Sequence, residues 1–184
     1  MPSNDSIREA PPSIGHADYD APGFGTLWLS WSDVGVTHLT LPGGKRPPQA
    51  KNDALRRPLP AAWKAILDRY FAGEVVDLNE IPVDLHGSDF QIRVWEALRR
   101  VPHGKVRTYA GIASDIDNAR AMRAVGMANS RNPIPIVVPC HRILEQGNKL
   151  GGYSGGLDVK RYLLRLEGAR IEGDEVLPGQ LPLL

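Results

Sequence analysis

KVRTYAGIASDIDNARAMRAVGMANSRNP, residues 105–133, holds two helical patterns separated by a break. Thr108 is placed to cap a helix on which Tyr109, Ile112, Ala113 and Ile116 share one face, and Asp117 and Asn118 interrupt it. A second helix, beginning near Asn118, carries Ala119, Ala121, Ala124, Gly126 and Ala128 around a single projecting Arg123. Two short helices joined by a tight turn have the outline of a helix-turn-helix. Small residues let a helix backbone approach a nucleic-acid groove, while a lone long cation reaches between bases or to a phosphate. The same small residues equally suit close packing inside the protein, with Arg123 an ordinary surface charge.

Upstream of this pair, Ser88 and Gln91 have the spacing of a capping box. Phe90, Val94, Leu98 and Val101 then form an apolar stripe, Arg99 and Arg100 sit where the helix dipole favours cations, and Pro102 and Gly104 end the helix. Downstream comes NPIPIVVPCHRI, with the only cysteine of the chain, Cys140, beside His141. An ordinary thiol, with a pKa of about 8.5, is ionised to only a few per cent near neutrality, so nucleophilic use requires a base or cation nearby. His141 is adjacent in sequence, but its ring needs an orienting group. GGLDVKRYLLRLEGAR reads as a helix capped by Asp158, with Val159, Tyr162, Leu163 and Leu166 buried and Gly168 as its stop. Glu167 in its last turn opposes the macrodipole unless a cationic or hydrogen-bonding neighbour such as His141 compensates. Cys140, His141 and Glu167 would then work like a protease triad, the acid fixing the imidazole tautomer and the imidazole withdrawing a proton. The plainer alternatives are a buried small hydrophobe at Cys140 and a solvated Glu167. Between these segments, five glycines surround Tyr153 and Ser154 in GNKLGGYSGG, a loop able to bring backbone amides against a ligand.

The 184 residues are 42% hydrophobic, enough for one substantial core or two small ones. No window approaches the roughly 18 apolar residues of a membrane span, and the start lacks a secretory signal, so no membrane partner and a cytoplasmic location are expected, nucleoid-associated in a bacterium. A single cysteine excludes an internal disulfide and every multi-thiolate zinc site. The net charge of +1 conceals an asymmetry: residues 86–143 hold nine Lys/Arg against four Asp/Glu, so the rest of the chain is net acidic. A basic segment suits a polyanionic partner or a solvated face.

The first half is plainer. Residues 1–22 are polar and proline-rich and read as a loose tail. GTLWLSWS and VTHLTLP alternate as the arms of a β-hairpin turned at DVG, residues 42–58 form a connector, and PAAWKAILDRYFAG reads as a helix with Ala62, Ile66 and Tyr70 at helical spacing. Residues 74–87 read as an extended linker. The expected organisation is a tail (1–22), a small α/β domain (23–85), a mainly α domain with the helix-turn-helix (86–172) and a C-terminal tail (173–184).

Taken together, FQIRVWEAL, GKVRTYAGIA, RAVGMANSRNP, NPIPIVVPCHRI, LGGYSGG and VKRYLLRLEG resemble the O6-alkylguanine-DNA alkyltransferases, or methylated-DNA-protein-cysteine methyltransferases, densely over residues 86 to about 170 and in layout only before that. The resemblance implies a ribonuclease H-like α/β first domain and a winged-helix-like second one. It implies irreversible, once-only transfer of an alkyl group from O6 of guanine in DNA to Cys140, without cofactor or metal, and leaves O4-alkylthymine open as a second substrate. His141 would generate the thiolate through water, Glu167 would hold it, and Asn132 would link the active-site loop to the recognition helix. Arg123 would fill the space of a flipped guanine, and Tyr109 would promote flipping and donate to guanine N3. Backbone carbonyls of Cys140 and Ile143 would read the exocyclic amine, the Ser154 amide would meet O6, and Tyr153 with Gly155 would wall the pocket. Ala121, Ala124, Gly126 and Arg131 would face the minor groove of double-stranded DNA, with the protein a monomer whose cooperative assembly on DNA stays open. The turn DNAR lacks the Gly and Pro common in relatives, which bears on the recognition-helix angle. Two alternatives keep part of the pattern: a lesion-binding or regulatory protein with an inert cysteine, and a thiol hydrolase with no use for Arg123.

Overall fold

The computed structural model describes residues 12–177. Its first layer is a three-stranded antiparallel sheet ordered β1 (Gly15–Ala21), β2 (Gly25–Trp31) and β3 (Val36–Thr40). The β2–β3 hairpin lies where alternation places it, with a bulge at Ser30 and Trp31. β1 was not foreseen: it lies within the stretch read as a loose tail, paired with β2 from Gly15 opposite Trp31 to Ala21 opposite Gly25. Its residues are short or polar, yet His16, Ala17, Tyr19 and Ala21 are buried because a sheet edge and a helix cover them. That helix, α1 (Ala61–Phe71), buries Ile66, Leu67, Tyr70 and Phe71 and is followed by Gly73 in the left-handed region, where glycine carries no Cβ penalty. The first eleven residues of the expected tail lie outside the described residues.

β3 connects the two halves of the molecule. Its Val36 donates to Pro82 O and accepts from Asp84 N, so the segment expected to be a linker runs as a short parallel partner of the sheet. Farther along, Leu39 N donates to Pro133 O, at the entrance of the cysteine loop. The larger of two hydrophobic clusters accordingly runs from Leu27 and Leu29 of the sheet through Leu67 and Tyr70 to Leu98, Ile112, Ile134 and Cys140.

The second half begins with α2 (Asp89–Arg99), whose capping box is formed in both directions, Ser88 Oγ accepting from Gln91 N and Gln91 Oε1 from Ser88 N. Trp95 on its buried face donates to Ala128 O at 2.9 Å, tying the segment around Ala128 to α2. β4 (Arg107–Thr108) leads into α3 (Tyr109–Asp115), capped by Thr108 as expected. The turn passes through Asp117 at φ 56°, and a 3-10 turn at Ala119–Ala121 precedes α4 (Met122–Ser130), so the second helix starts later than Asn118. The absence of Gly and Pro in DNAR is thus accommodated by an aspartate in the left-handed region and one tighter turn.

β5 (Ile143–Leu144) runs parallel to β4, with Ile143 opposite Arg107, which holds the end of the cysteine loop beside the start of α3. α5 (Leu157–Leu166) is preceded by Gly156, not Asp158, as its N-cap residue; Asp158 sits in the first turn, and the most buried residues are Lys160, Leu163 and Leu164. β6 (Ile171–Glu172) and β7 (Glu175–Val176) then pair, with Val176 buried against Leu144 and Leu164, so ordered structure continues into the stretch read as a C-terminal tail. Among the described residues no helix is long and apolar enough to cross a membrane.

Candidate active site and DNA-facing surface

The apolar run before Cys140 is shaped into a tight loop by Asn132. Its Nδ2 donates to Val138 O at 2.7 Å and its Oδ1 accepts from Ile134 N at 3.0 Å, while Val138 N donates to Ile134 O. One amide side chain thereby spans the loop that Pro135 and Val138 bridge. Within it Ile136 adopts φ 76°, a conformation that disfavours a β-branched residue by about 1–3 kcal/mol and is kept only where surroundings over-determine it. Ile134, Ile136, Val137 and Val138 are all buried, and this packing holds the strained backbone in place. The chain then enters a 3-10 turn, Cys140–Arg142, in which all three side chains are buried.

His141 Nε2 lies 2.9 Å from Glu167 Oε1, with both side chains fully buried. Glu167 is the C-cap residue of α5, and the compensating cation that its position demanded is supplied by the residue after the histidine. Arg142 Nε donates to Oε2 at 2.9 Å and Nη2 to Oε1 at 2.9 Å, and Nη1 reaches Val101 O. Tyr70 Oη on α1 donates to Oε1 at 2.8 Å, and Gly104 N donates to Oε2. Burial alone would raise the Glu167 carboxyl, but His141 and Arg142 outweigh it and hold it far below the usual carboxylate range. Burial lowers His141 despite the neighbouring carboxylate.

With Nε2 committed to Glu167, His141 Nδ1 makes no hydrogen bond to any protein group among the described residues. Cys140 and His141 therefore do not hydrogen-bond directly. Burial pushes the Cys140 thiol up; Asn132 and Tyr153, whose Oη is 3.9 Å from Sγ, act in the opposite direction, as does the Lys160 ammonium. Lys160 is fully buried, donates to Ile143 O at 2.6 Å and to Leu150 O, and is lowered by burial to about 8. It clamps the Ile143 carbonyl, one of the groups expected to read a base edge.

A cavity of about 340 Å³ opens beside this centre, lined by Tyr109, Gly126, Asn129, Ser130, Gly152, Tyr153 and Ser154. That is the lower end of the range for small-ligand sites. Ser154 and Gly155 also line a second groove of about 510 Å³, shared with residues 38–45 and 130–135, including Arg131. On α4 the buried side consists of Val125, Ala128 and Asn129, whereas Arg123, Ala124 and Arg131 are exposed and Ala121 and Gly126 half-buried. A Cβ at Gly126 would meet nothing within 4 Å, so internal packing does not require a glycine there. Arg123 makes no ion pair or hydrogen bond among the described residues. Nor do these hold a group of three or more His, Cys, Asp or Glu able to bind a metal ion.

Comparison with known proteins bears directly on this arrangement. Residues 89–169 match the family model for the DNA binding domain of 6-O-methylguanine DNA methyltransferase. The chain is 41% identical over 155 residues to the methylated-DNA–protein-cysteine methyltransferase of Methanosarcina barkeri, covering 78% of this chain and 90% of that protein. The chain belongs to the methylated-DNA–protein-cysteine methyltransferase family. The homologue from Methanosarcina acetivorans is 50% identical over 103 residues, a match spanning 65% of its length. Among solved structures, the Mycobacterium tuberculosis OGT in complex with DNA superposes with a TM-score of 0.73 at 39% identity, covering 84% of this chain and 93% of that one.

For this methyltransferase family member, the sequence reading singled out the thiol, the imidazole and the carboxylate, and the fold brings them into one buried cluster with Asn132 and Tyr153. It missed Arg142, Tyr70, Gly104 and Lys160. Arg142 carried a signal in being adjacent to His141, and Lys160 in lying three and four positions before Leu163 and Leu164 on one helical face. Tyr70, 97 positions from its partner, carried none beyond its place on the buried side of α1.

Proposed function

We propose that the protein repairs DNA by transferring an alkyl group from O6 of a damaged guanine to Cys140, once per molecule. The observation that carries this reading is the buried cluster in which the sole thiol stands beside a histidine oriented by Glu167, next to a base-sized cavity, on a chain of this family. His141 Nδ1, acting through water, takes the thiol proton; the sulfur forms a bond to the alkyl carbon as the carbon–O6 bond breaks, and the electron pair passes to guanine. Burial and the nearby Cys140 push the Tyr109 phenol up, which keeps it a hydrogen-bond donor suited to guanine N3. The proton held on the imidazole neutralises the departing purine. In this reading Asn132 holds the cysteine loop, the carbonyls of Cys140 and Ile143 read the exocyclic amine, the Ser154 amide meets O6, and Tyr153 and Gly155 wall the pocket.

A stacked base cannot present its O6 substituent to a buried sulfur, so the nucleotide must leave the duplex at a cost of a few kcal/mol. Exposed Arg123, with no partner of its own among the described residues, fills the vacated place, while Ala121, Ala124 and Gly126 let α4 lie in the minor groove and Arg131 meets the backbone. Replacing Arg123 with alanine is expected to slow repair of duplex DNA at least about tenfold more than reaction with free O6-benzylguanine, as measured by parallel single-turnover rates; equal slowing removes the finger role. Duplex affinity should fall with added salt, the log–log slope dropping by about one for each phosphate-contacting cation removed, which a titration of Arg131→Ala reads directly.

The finer description of the fold follows the same reading: a ribonuclease H-like first layer and a winged-helix-like second one, acting as a cytoplasmic monomer. An inert-cysteine lesion binder would share the groove contacts but leave no alkyl group on the protein, so labelled-methyl transfer from O6-methylguanine DNA tests the proposal.

A further inference from the structure

Glu167 has more donors than a triad acid requires. The Arg142 fork already neutralises it, and a backbone amide occupies Oε2, yet Oε1 is shared by His141 Nε2, Arg142 Nη2 and the Tyr70 hydroxyl. Tyr70 comes from the other side of the molecule. It lies on α1, is fully buried, and is packed edge-on against Phe71 and His103 at ring separations of 5.2 and 5.9 Å. Its hydroxyl is thus a hydrogen bond from the first layer into the centre of the second.

We propose that Tyr70 is a positioning residue of the transfer reaction: by donating to Glu167 Oε1 it limits how strongly that oxygen draws the His141 ring proton, and so keeps the thiol protonated at rest. A carboxylate oxygen has about two lone-pair sites, and three donors must divide them. Every share taken by Tyr70 weakens the charge-assisted bond to Nε2–H, and a weaker bond there makes Nδ1 a poorer base. The other ionisable groups around this cluster are Arg142 and Lys160, which disfavour an imidazolium, and His103, Tyr153, Tyr162 and Cys140 itself. None of these except Arg142 hydrogen-bonds Glu167, and the Gly104 amide is on Oε2, so on the oxygen that holds His141 the neutral donor is Tyr70. The inference rests on the alkyl-transfer reading above, and it gives the first layer a part in the chemistry.

The test is Tyr70→Phe in the full chain, which keeps the ring and removes only the oxygen, assayed with free O6-benzylguanine across pH. Released from Tyr70, Oε1 draws Nε2–H harder, Nδ1 becomes more basic, and the thiol gives up its proton more readily. The plateau rate should therefore rise about three- to tenfold, while the acid-side midpoint, which reports protonation of the His141 ring, moves up by about half a unit to one unit. A profile that is lower throughout with an unchanged midpoint means Tyr70 only supports packing and overturns the inference, as does a midpoint displaced downward. Should the variant fail to fold, NMR of the unmutated protein decides: the Tyr70 hydroxyl proton must titrate with the same apparent pKa as the His141 ring, and independent titration overturns the proposal. An unmutated protein inert toward O6-benzylguanine would instead point to failure of the transfer reading.

Discussion

Cys140→Ser is expected to abolish alkyl transfer, with a loss of at least about 10⁴-fold in single-turnover rate, while duplexes containing O6-methylguanine bind within a few-fold of the unmutated protein. The two parts of this result have different physical origins. In the proposed reaction the nucleophile at residue 140 displaces O6 from a saturated carbon, and a serine hydroxyl, which ionises far less readily than a thiol and is intrinsically less nucleophilic, does this far more slowly. In the proposed reading, binding rests on α4, on Arg123 and on the basic face and not on the sulfur. Serine is nearly isosteric, and the buried position gives its hydroxyl Tyr153 and the backbone as neighbours, so the fold should persist. Labelled transfer and fluorescence anisotropy with the same oligonucleotide separate the two effects. Residual transfer at the unmutated rate would place the acceptor elsewhere in the chain.

The largest effect on stability is expected for Arg142→Met. Methionine fills much of the volume, but Glu167 keeps only His141, Tyr70 and the Gly104 amide, and Val101 O loses its donor. Removing one partner of a buried pair typically costs about 3–5 kcal/mol, which for a chain of this size lowers Tm by roughly 10 °C or more. Glu167 is depressed in the folded state, so its contribution is present above the unfolded carboxylate pKa of about 4.3 and is lost as pH falls toward the folded value. Without Arg142 the depression shrinks. Denaturant titrations at neutral pH and near pH 4 should therefore converge for the variant more than for the unmutated protein. Equal losses at both pH values would show that packing, not charge, accounts for the role of Arg142.

The legible parts of this molecule are those in which local chemistry decides. The capping box at Ser88 and Gln91 and the Thr108 cap follow from side chains that satisfy their own neighbouring backbone, and the β2–β3 hairpin from the alternation of its two arms. Glu167 was legible for a related reason: a carboxylate at a helix C-terminus is unfavourable unless something compensates, and its cost pointed to a partner. β1 was not legible, because GHADYDA has little apolar alternation and its burial comes from the sheet edge and α1 folding over it. Asp158 was read as a cap because its side chain is a good acceptor, but the chain enters α5 through Gly156 at φ 88°, two residues earlier. Tyr70 and Lys160 lay beyond sequence reasoning for the same physical cause. Their roles depend on which backbone carbonyl or carboxylate tertiary packing brings to them.

The most direct test is intact-mass spectrometry of the protein after incubation with an O6-methylguanine oligonucleotide, followed by peptide mapping. The account predicts one added methylene mass per molecule, located on Cys140, with unmodified guanine restored in the DNA. An unchanged protein mass after the lesion has been bound, or a methyl group on any other residue, would contradict it.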